Sequence, residues 1–241
     1  MAGDRVDGGA IDSRSFEGRL ATNPVVILPV GALEAHGPHL PLAADEIQAV
    51  ATATALAERI HGLVLPPIAY GSCPGARDFP GTVSVPLHVL AEYARCVLEE
   101  LGRAGVRRLL VLSGHAERGH MAALREAADR AMQARPALTV VVLSDYDFVY
   151  ELRGREAPAT DGHAGQLETS RLLHLAADRV GTARPVGVRG GSTFRPGPPR
   201  PEEWPESVQG DTRAASSELG ARVQAHVLDR LEATVRELWP A

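Results

Sequence analysis

Lysine is absent from this chain of 241 residues, and all 25 of its basic residues are arginine. The absence excludes three kinds of site that need a lysine amine: Schiff-base enzymes, Walker-type phosphate loops and serine–lysine dyads. Cysteine is scarce as well, since Cys73 and Cys96 are the two present. Two cysteines form neither a disulfide framework nor a thiolate metal cluster, and they are typical of a reducing cytosol.

Long hydrophobic runs and a strong excess of one charge are also missing. No apolar stretch approaches the length of a membrane span, and residues 1–20 lack the apolar core of a signal peptide. A formal net charge of −5 gives no basic surface for nucleic acid or an anionic membrane. We therefore expect a cytoplasmic protein that acts on a small molecule, without a nucleic-acid or membrane partner.

Strand and helix patterns alternate along most of the chain. Apolar runs predict four short buried strands, over residues 25–30, 63–68, 106–112 and 138–143. Helical periodicity predicts helices over residues 45–61, 86–101, 164–179 and 213–238, and a further one that ends near residue 135. This alternation predicts a three-layer α/β/α fold with a mostly parallel central sheet. We expect a frayed tail over residues 1–20 and one domain over residues 21–241.

A candidate metal site follows the first predicted strand. Glu34 and His36 are two positions apart, so an extended backbone directs both side chains from the same face. Asp45 follows at the start of the first long helix. Two carboxylates and an imidazole on a loop that leaves a buried strand are a suitable donor set for a divalent metal. The alternative for Asp45 is an N-cap, with Gln48 as its capping-box partner.

His115 and Glu117 repeat this spacing after the third predicted strand. Parallel strands present their carboxyl ends at one edge of the sheet, so we expect this pair close to the first. The two loops together offer two imidazoles and three carboxylates, enough for two divalent ions that share Asp45. Mixed nitrogen and oxygen donors suit Zn, Mn or Fe rather than Ca. The alternative for Glu117 is a helix N-terminus, where an acidic side chain is stabilising.

A third motif begins at His163 and includes Glu168. Either residue has a structural alternative, because His163 can cap the following helix and Glu168 can pair with Arg171 along it.

In this order, the three motifs resemble the creatininase (creatinine amidohydrolase) family. The family's opening motif is present from Pro29 to Pro41 with Asp45 after it, and its Phe-Pro-Gly-Thr segment begins at Phe79. Its His-Ala-Gly-x-x-Glu-Thr-Ser motif spans residues 163–170. The resemblance covers about residues 20–235. It implies a metal-dependent amidohydrolase that cleaves a cyclic or non-peptide C–N bond of a small polar molecule, in a homo-oligomer that is commonly a hexamer.

The resemblance also implies a role for individual residues. One metal ion would be held by Glu34, Asp45 and His115. The second ion would be held by His36, Asp45 and Glu117. The implied general acid or base is His163, or Glu117 where the metal leaves it free. Glu168 would be a supporting residue or a further ligand.

The chain departs from the family at positions expected to face the substrate. Cys73 and Ala76 occupy positions where relatives often have serine and histidine, and Ser113 and Arg118 replace asparagines. We therefore do not expect a creatininase proper. The candidate substrate-facing residues are Ser72, Cys73, Ala116 and Arg118.

Several alternatives remain open from the sequence. A peptidase or deformylase of the same superfamily is one, and hydrolysis of a C–C or ester bond is another. Cys73 could be a nucleophile, although Pro74 after it has no N–H to donate to an oxyanion. A metal-binding scaffold without activity is a fourth possibility. The segment 181–212 could cover the site, with Trp204 as an apolar wall.

Overall fold

A parallel four-stranded sheet forms the centre of the protein, whose computed structural model describes residues 6–190 and 201–240. The strand order is β2–β1–β3–β4. These strands are β1 (Val25–Val30), β2 (Leu63–Val64), β3 (Arg108–Ser113) and β4 (Thr139–Ser144). A separate antiparallel pair is formed by β5 (Val186–Gly187) and β6 (Gly210–Asp211). The helices are α1 (Ser13–Leu20), α2 (Ala44–Ile60), α3 (Leu87–Arg103), α4 (Arg118–Ala134), α5 (Tyr146–Val149), α6 (Gln166–Leu175) and α7 (Ser217–Leu238).

Alternate residues of β1 face two different helical layers. Val26 and Leu28 belong to the core cluster that includes α1, α3 and α4. Val25 and Ile27 belong to the opposite cluster, which includes α2, α6 and α7. Successive side chains of a strand point to opposite faces, so a strand between two layers is apolar throughout. The predicted three-layer α/β/α fold with a parallel central sheet is confirmed.

The three long strands end in register. Val30 of β1 lies opposite Ser113 of β3, which in turn lies opposite Ser144 of β4. The segments that leave these strands therefore start side by side at one edge of the sheet. This edge holds the candidate functional residues.

The structure differs from the sequence prediction at the N-terminus. We predicted a frayed tail over residues 1–20, whereas residues 13–20 form α1 and residues 1–5 lie outside the described residues. The carboxylate of Asp12 caps α1 by accepting a hydrogen bond from the Ser15 backbone N–H at 3.0 Å. Phe16 and Leu20 of α1 pack against the α3–α4 layer. The N-cap and this apolar contact together stabilise α1.

The second strand and the 164–179 helix are shorter than predicted. β2 ends at Val64 because Pro66 and Pro67 have no N–H to donate to a neighbouring strand. Ile68 still makes a single bridge to Val30. The helix α6 ends at Leu175, and a 3₁₀ turn follows over Ala177–Arg179.

Within residues 6–190 and 201–240, no helix is both long and apolar enough to cross a membrane.

A fully buried arginine connects the helical layer next to the site. Arg171 of α6 donates to the Asp145 carboxylate at 2.7 Å and to the Thr52 hydroxyl at 3.1 Å. Its guanidinium also donates to the side-chain oxygen of Gln224 on α7. Burial raises the pKa of Asp145, and the Arg171 charge opposes that rise. These contacts hold α2, α6 and α7 to the end of β4.

We expect the substitution Arg171→Met to lower the free energy of unfolding by about 3–5 kcal/mol, because it leaves the Asp145 carboxylate buried without a partner. Urea unfolding of the metal-free protein measures this loss. The control, Arg103→Ala, removes an exposed pair with Glu100 and should cost less than about 1 kcal/mol. Equal losses in the two variants would refute the structural role of Arg171.

Candidate metal centre

Two glycines let the loops after β1 and β3 approach the first turn of α2. A Cβ on Gly31 would lie 2.7 Å from the Glu46 Cα, and a Cβ on Gly114 would lie 2.1 Å from the Asp45 carbonyl oxygen. Both distances are too short for any residue with a side chain. The close approach places Asp45 between the two loops that carry the predicted ligands.

The first group of converging side chains contains Glu34, Asp45 and His115. Nε2 of His115 lies 3.1 Å from the Ser72 carbonyl oxygen, which can only accept a hydrogen bond. In the neutral imidazole the proton is therefore on Nε2, and Nδ1 carries a lone pair. That Nδ1 lies 3.0 Å from both Glu34 Oε1 and Asp45 Oδ2.

The second group contains His36, Asp45 and Glu168. Nδ1 of His36 lies 3.0 Å from the Glu34 carbonyl oxygen, so the same reasoning leaves its Nε2 with a lone pair. This Nε2 lies 3.3 Å from Asp45 Oδ1 and 3.5 Å from Glu168 Oε1. Asp45 thus presents one carboxylate oxygen to each group. A third combination of possible ligands, Glu34, His36 and His163, overlaps these two.

Several of these atoms are buried and have no hydrogen-bond partner in the described part of the chain. They are Glu34 Oε1, His36 Nε2 and Asp45 Oδ2. None of the three residues is more than 3% exposed. Buried lone pairs that face one another repel, and an uncompensated buried charge is costly. A cation bound among these atoms removes both costs, so the donor set fits a divalent metal.

The electrostatics of the two imidazoles agree with this interpretation. Burial lowers the pKa of His36, but the carboxylates of Asp45 and Glu168 outweigh it and raise that pKa well above the ordinary value. Burial also lowers the pKa of His115, and Glu34 and Asp45 likewise reverse the effect. Each imidazole is thus more basic than usual, and a metal ion would compete with a proton for its free nitrogen.

Glu168 is held in place by hydrogen bonds from both sides of its carboxylate. Gln48 donates to Oε1 at 2.9 Å, and the Ala164 backbone N–H donates to Oε2 at 2.7 Å. Tyr146 donates its hydroxyl to Gln48 Oε1 at 3.0 Å and so orients the amide. Burial raises the pKa of Glu168, but His36, His163 and the Tyr146 hydroxyl together lower that pKa well below its ordinary value. The residue is an oriented carboxylate next to His36.

Glu117 does not join either group, in contrast to its predicted place beside His36 and Asp45. It is the N-cap of α4, and its carboxylate accepts a hydrogen bond from the His120 backbone N–H at 2.8 Å. The helix-terminus alternative for Glu117 therefore describes its position. Glu168 occupies the position next to His36 and Asp45 that was predicted for Glu117.

The other structural alternatives do not describe the molecule. The N-cap of α2 is Ala43, so Asp45 lies within the first turn and makes no cap. Asp161, not His163, accepts hydrogen bonds from the first N–H groups of α6. Arg171 pairs with Asp145 and not with Glu168.

His163 lies beside the two groups with its basic nitrogen directed inward. Its Nε2 lies 2.8 Å from the Ala35 carbonyl oxygen, and its Nδ1 lies 3.6 Å from Glu34 Oε1. The ring stacks on that of His36, with centroids 4.2 Å apart, and meets the Trp204 ring edge-on at 5.0 Å. Burial and the neighbouring His36 lower the pKa of His163. This environment favours the neutral imidazole, in which Nδ1 carries the lone pair.

A cavity of about 330 Å³ opens onto the candidate ligands. Three of the four predicted substrate-facing residues line it, namely Cys73, Ala116 and Arg118. The fourth, Ser72, is buried behind the wall, where its carbonyl orients His115. Trp204 lines the cavity as predicted, from the described part of the 181–212 segment. The segment 191–200 lies outside the described residues.

Sequence reasoning missed other residues that line the cavity. They are Tyr146, Tyr150, Arg153, Arg189 and Gln209. They come from segments without a recognisable motif, and no sequence signal identifies them in advance.

The thiol of Cys73 is unsuited to nucleophilic catalysis. Burial and the negative charge of Glu34 raise its pKa to about 12. The nucleophile is a thiolate, which this environment disfavours. The chain after Cys73 is a turn rather than the helix that a nucleophile elbow requires, because Ala76 N–H donates to the Cys73 carbonyl oxygen.

Comparisons with known proteins agree with the geometry. The sequence profile of the creatininase family, described as creatinine amidohydrolase, matches residues 10–235. The chain is 32% identical to the creatinine amidohydrolase of Pseudomonas putida, over 96% of each protein. It is 33% identical to the mycofactocin precursor peptide peptidase of Mycobacterium ulcerans, over 87% of this chain and 83% of that protein. A solved structure described as "Creatininase Mn" superposes with a TM-score of 0.87 at 29% identity, over 98% of this chain and 99% of that one.

Proposed function

The chain belongs to the creatininase family and is a hydrolase of amide C–N bonds. On that premise, we propose that it cleaves a cyclic or other non-peptide amide of a small polar molecule, and that it does so with two divalent ions, Zn, Mn or Fe, bound at the groups around Asp45.

The observation that carries this proposal is the convergence of buried, unpartnered donor atoms on both sides of the Asp45 carboxylate. The residues proposed to hold one ion are Glu34, Asp45 and His115. The residues proposed to hold the other are His36, Asp45 and Glu168. The backbone carbonyls that accept from the distal nitrogen of each histidine fix its tautomer, as is usual for metal-ligating imidazoles.

Ions held there would supply Lewis acidity, which makes hydroxide available from water near neutral pH and polarises an amide carbonyl. His163 accepts at Nδ1 the proton that the attacking water loses and delivers it to the leaving nitrogen as the C–N bond breaks, since its Nε2–H stays bound to the Ala35 carbonyl oxygen. Glu117 lines the cavity outside the two groups and is a second candidate for proton transfer. Trp204 and His36 enclose the His163 ring and hold it in this orientation.

The size of the cavity favours a small substrate. About 330 Å³ is at the lower end of the range for small-molecule sites.

A second candidate function is removal of a terminal peptide residue, and the 33% identity to a peptide peptidase favours it. A panel of cyclic ureides, formamides and short peptides, each scored for release of amine, separates the two functions.

The proposed ligand set predicts how much metal each variant binds. We expect Glu168→Gln to retain about one zinc ion per chain and Asp45→Asn to retain almost none, because Asp45 serves both positions. Glu117→Gln should bind as much zinc as the unmodified protein. Elemental analysis after dialysis measures the content.

Glu58→Gln, an exposed change on the same helix as Asp45, serves as the control for the metal measurement. Loss of an ion from Glu117→Gln with full retention in Glu168→Gln would reverse the assignment.

The proposed proton transfer predicts a different effect for His163. We expect His163→Asn to keep its metal and its fold but to lose activity by about 10²–10⁴-fold, as is usual when a general acid or base is removed. Steady-state rates on the best substrate of the panel, with metal content measured in parallel, test this. An active His163→Asn enzyme would remove His163 from the mechanism.

We also propose that the protein is a homo-oligomer, and a hexamer by family resemblance. Large apolar side chains are exposed on or near the start of α3, with Tyr70 at 54%, Val89 at 45% and Tyr93 at 55%. Val89 and Tyr93 are one helical turn apart and share a face.

Light scattering should give a molar mass several times that of one chain. The double substitution Val89→Asp with Tyr93→Asp should reduce this molar mass. Leu238→Asp, at an exposed apolar position of α7, is the matched control and should leave the mass unchanged. A monomeric unmodified protein would contradict the proposal.

A further inference from the structure

Three arginines line the cavity that opens onto the metal centre. They are Arg118, Arg153 and Arg189. Arg118 is the first residue of α4, Arg153 follows a short 3₁₀ turn after α5, and Arg189 follows β5. Three separate segments of the fold thus bring positive charge to one small cavity.

None of the three guanidinium groups has a carboxylate partner in the part of the chain that the structure describes, with 4.0 Å as the limit. Many other arginines do pair with acids, as Arg103, Arg213 and Arg222 show on the surface. Four carboxylates also line the cavity, of which three belong to the proposed metal groups and the fourth, Glu117, caps α4. The three guanidinium groups therefore remain without a direct ion pair among the described residues.

Aromatic rings hold two of these arginines in position. The Arg153 guanidinium carbon lies 3.4 Å from the centroid of the Tyr150 ring, and that of Arg189 lies 4.6 Å from the Trp204 ring. Both rings also line the cavity. Such cation–π contacts restrain the two guanidinium groups at the cavity wall, and an arginine held in this way can bind an oxyanion through its N–H groups.

A further observation points to an absent ligand at this position. Nε of Arg153 and Nε1 of Trp204 are both buried and have no hydrogen-bond partner among residues 6–190 and 201–240. Trp204 itself is 98% buried, since its exposed fraction is 2%. Buried N–H donors are normally satisfied, and two unsatisfied donors in one cavity wall fit an acceptor supplied by the substrate.

We propose that the substrate carries an anionic oxygen group, a carboxylate or a phosphate, which Arg153 binds with Arg118 and Arg189 while the amide lies at the metal centre. The inference rests on the proposed function, because it assigns the other end of the same substrate. It also accounts for Arg118 at a position where relatives often have asparagine. Charge-assisted hydrogen bonds to a guanidinium give both orientation and affinity.

Hydroxamates test this proposal, because they bind divalent metal centres and differ in one group. The first probe is butyrohydroxamate, whose far end is a neutral methyl group. The second, succinyl monohydroxamate, has a carboxylate at that end, and the third is the phosphonate analogue of the same length. Calorimetry on the zinc-loaded full chain measures each dissociation constant. We expect at least one anionic probe to bind about tenfold or more tightly than the neutral one.

Variants then locate the anion. Arg153→Gln should reduce the preference for the anionic probe towards unity and leave the affinity for butyrohydroxamate unchanged. Arg118 is exposed, so its replacement should not disturb the fold. Arg118→Gln should reduce the preference for the anionic probe in part. Arg103→Gln, remote from the cavity, is the matched control and should keep the full preference.

The outcomes distinguish the two proposals. Equal binding of neutral and anionic probes by the unmodified protein would overturn the anion site while leaving the metal centre in place. A preference that survives both Arg153→Gln and Arg118→Gln would overturn the assigned residues. If no hydroxamate binds the zinc-loaded chain, the metal centre itself fails, and the anion site that rests on it fails too.

Discussion

The carboxylate of Asp45 is the contact on which the rest of the site depends. One oxygen lies 3.3 Å from His36 Nε2 and the other lies 3.0 Å from His115 Nδ1. Both imidazoles have their other nitrogen bound to a backbone carbonyl, so each turns a basic nitrogen towards Asp45. Without cations this arrangement is repulsive unless the imidazoles are protonated. The fold therefore holds together a set of donor atoms that fits a divalent metal.

Rigid elements support this arrangement. The ends of β1 and β3 are in register, and two glycines allow both outgoing loops to contact the first turn of α2. The buried Arg171–Asp145 pair fixes α6, which carries Glu168, against the end of β4. Sites built on regular elements keep their geometry better than sites built on loops. The cavity walls, in contrast, come largely from loops, where Arg153, Arg189 and Trp204 would set the choice of substrate.

Much of the fold and the centre could be predicted from the sequence. The runs at β1, β3 and β4 are apolar throughout because both faces are covered, and this pattern is visible in one dimension. Glu34, His36 and His115 follow strand ends, and a parallel sheet brings such positions together. α1 was missed because its order comes from packing against α3 and α4, which a local pattern does not show.

The roles of Glu117 and Glu168 could not be predicted in the same way. Their spacing from a histidine makes both acceptable ligands, and the outcome depends on where α6 lies relative to α2. Gln48 and the Ala164 N–H fix Glu168 beside His36, whereas Glu117 is engaged at the start of α4. Arg153 and Arg189 became visible only when tertiary structure placed them in one cavity. Single-residue spacing contains no information on such contacts.

A crystal structure of the zinc-loaded protein, with anomalous maps at the zinc edge, tests the central claim most directly. We expect two peaks on opposite sides of the Asp45 carboxylate, one contacted by Glu34 and His115 and the other by His36 and Glu168. A single peak, or a second ion bound by Glu117 while Glu168 remains with Gln48 alone, would contradict it.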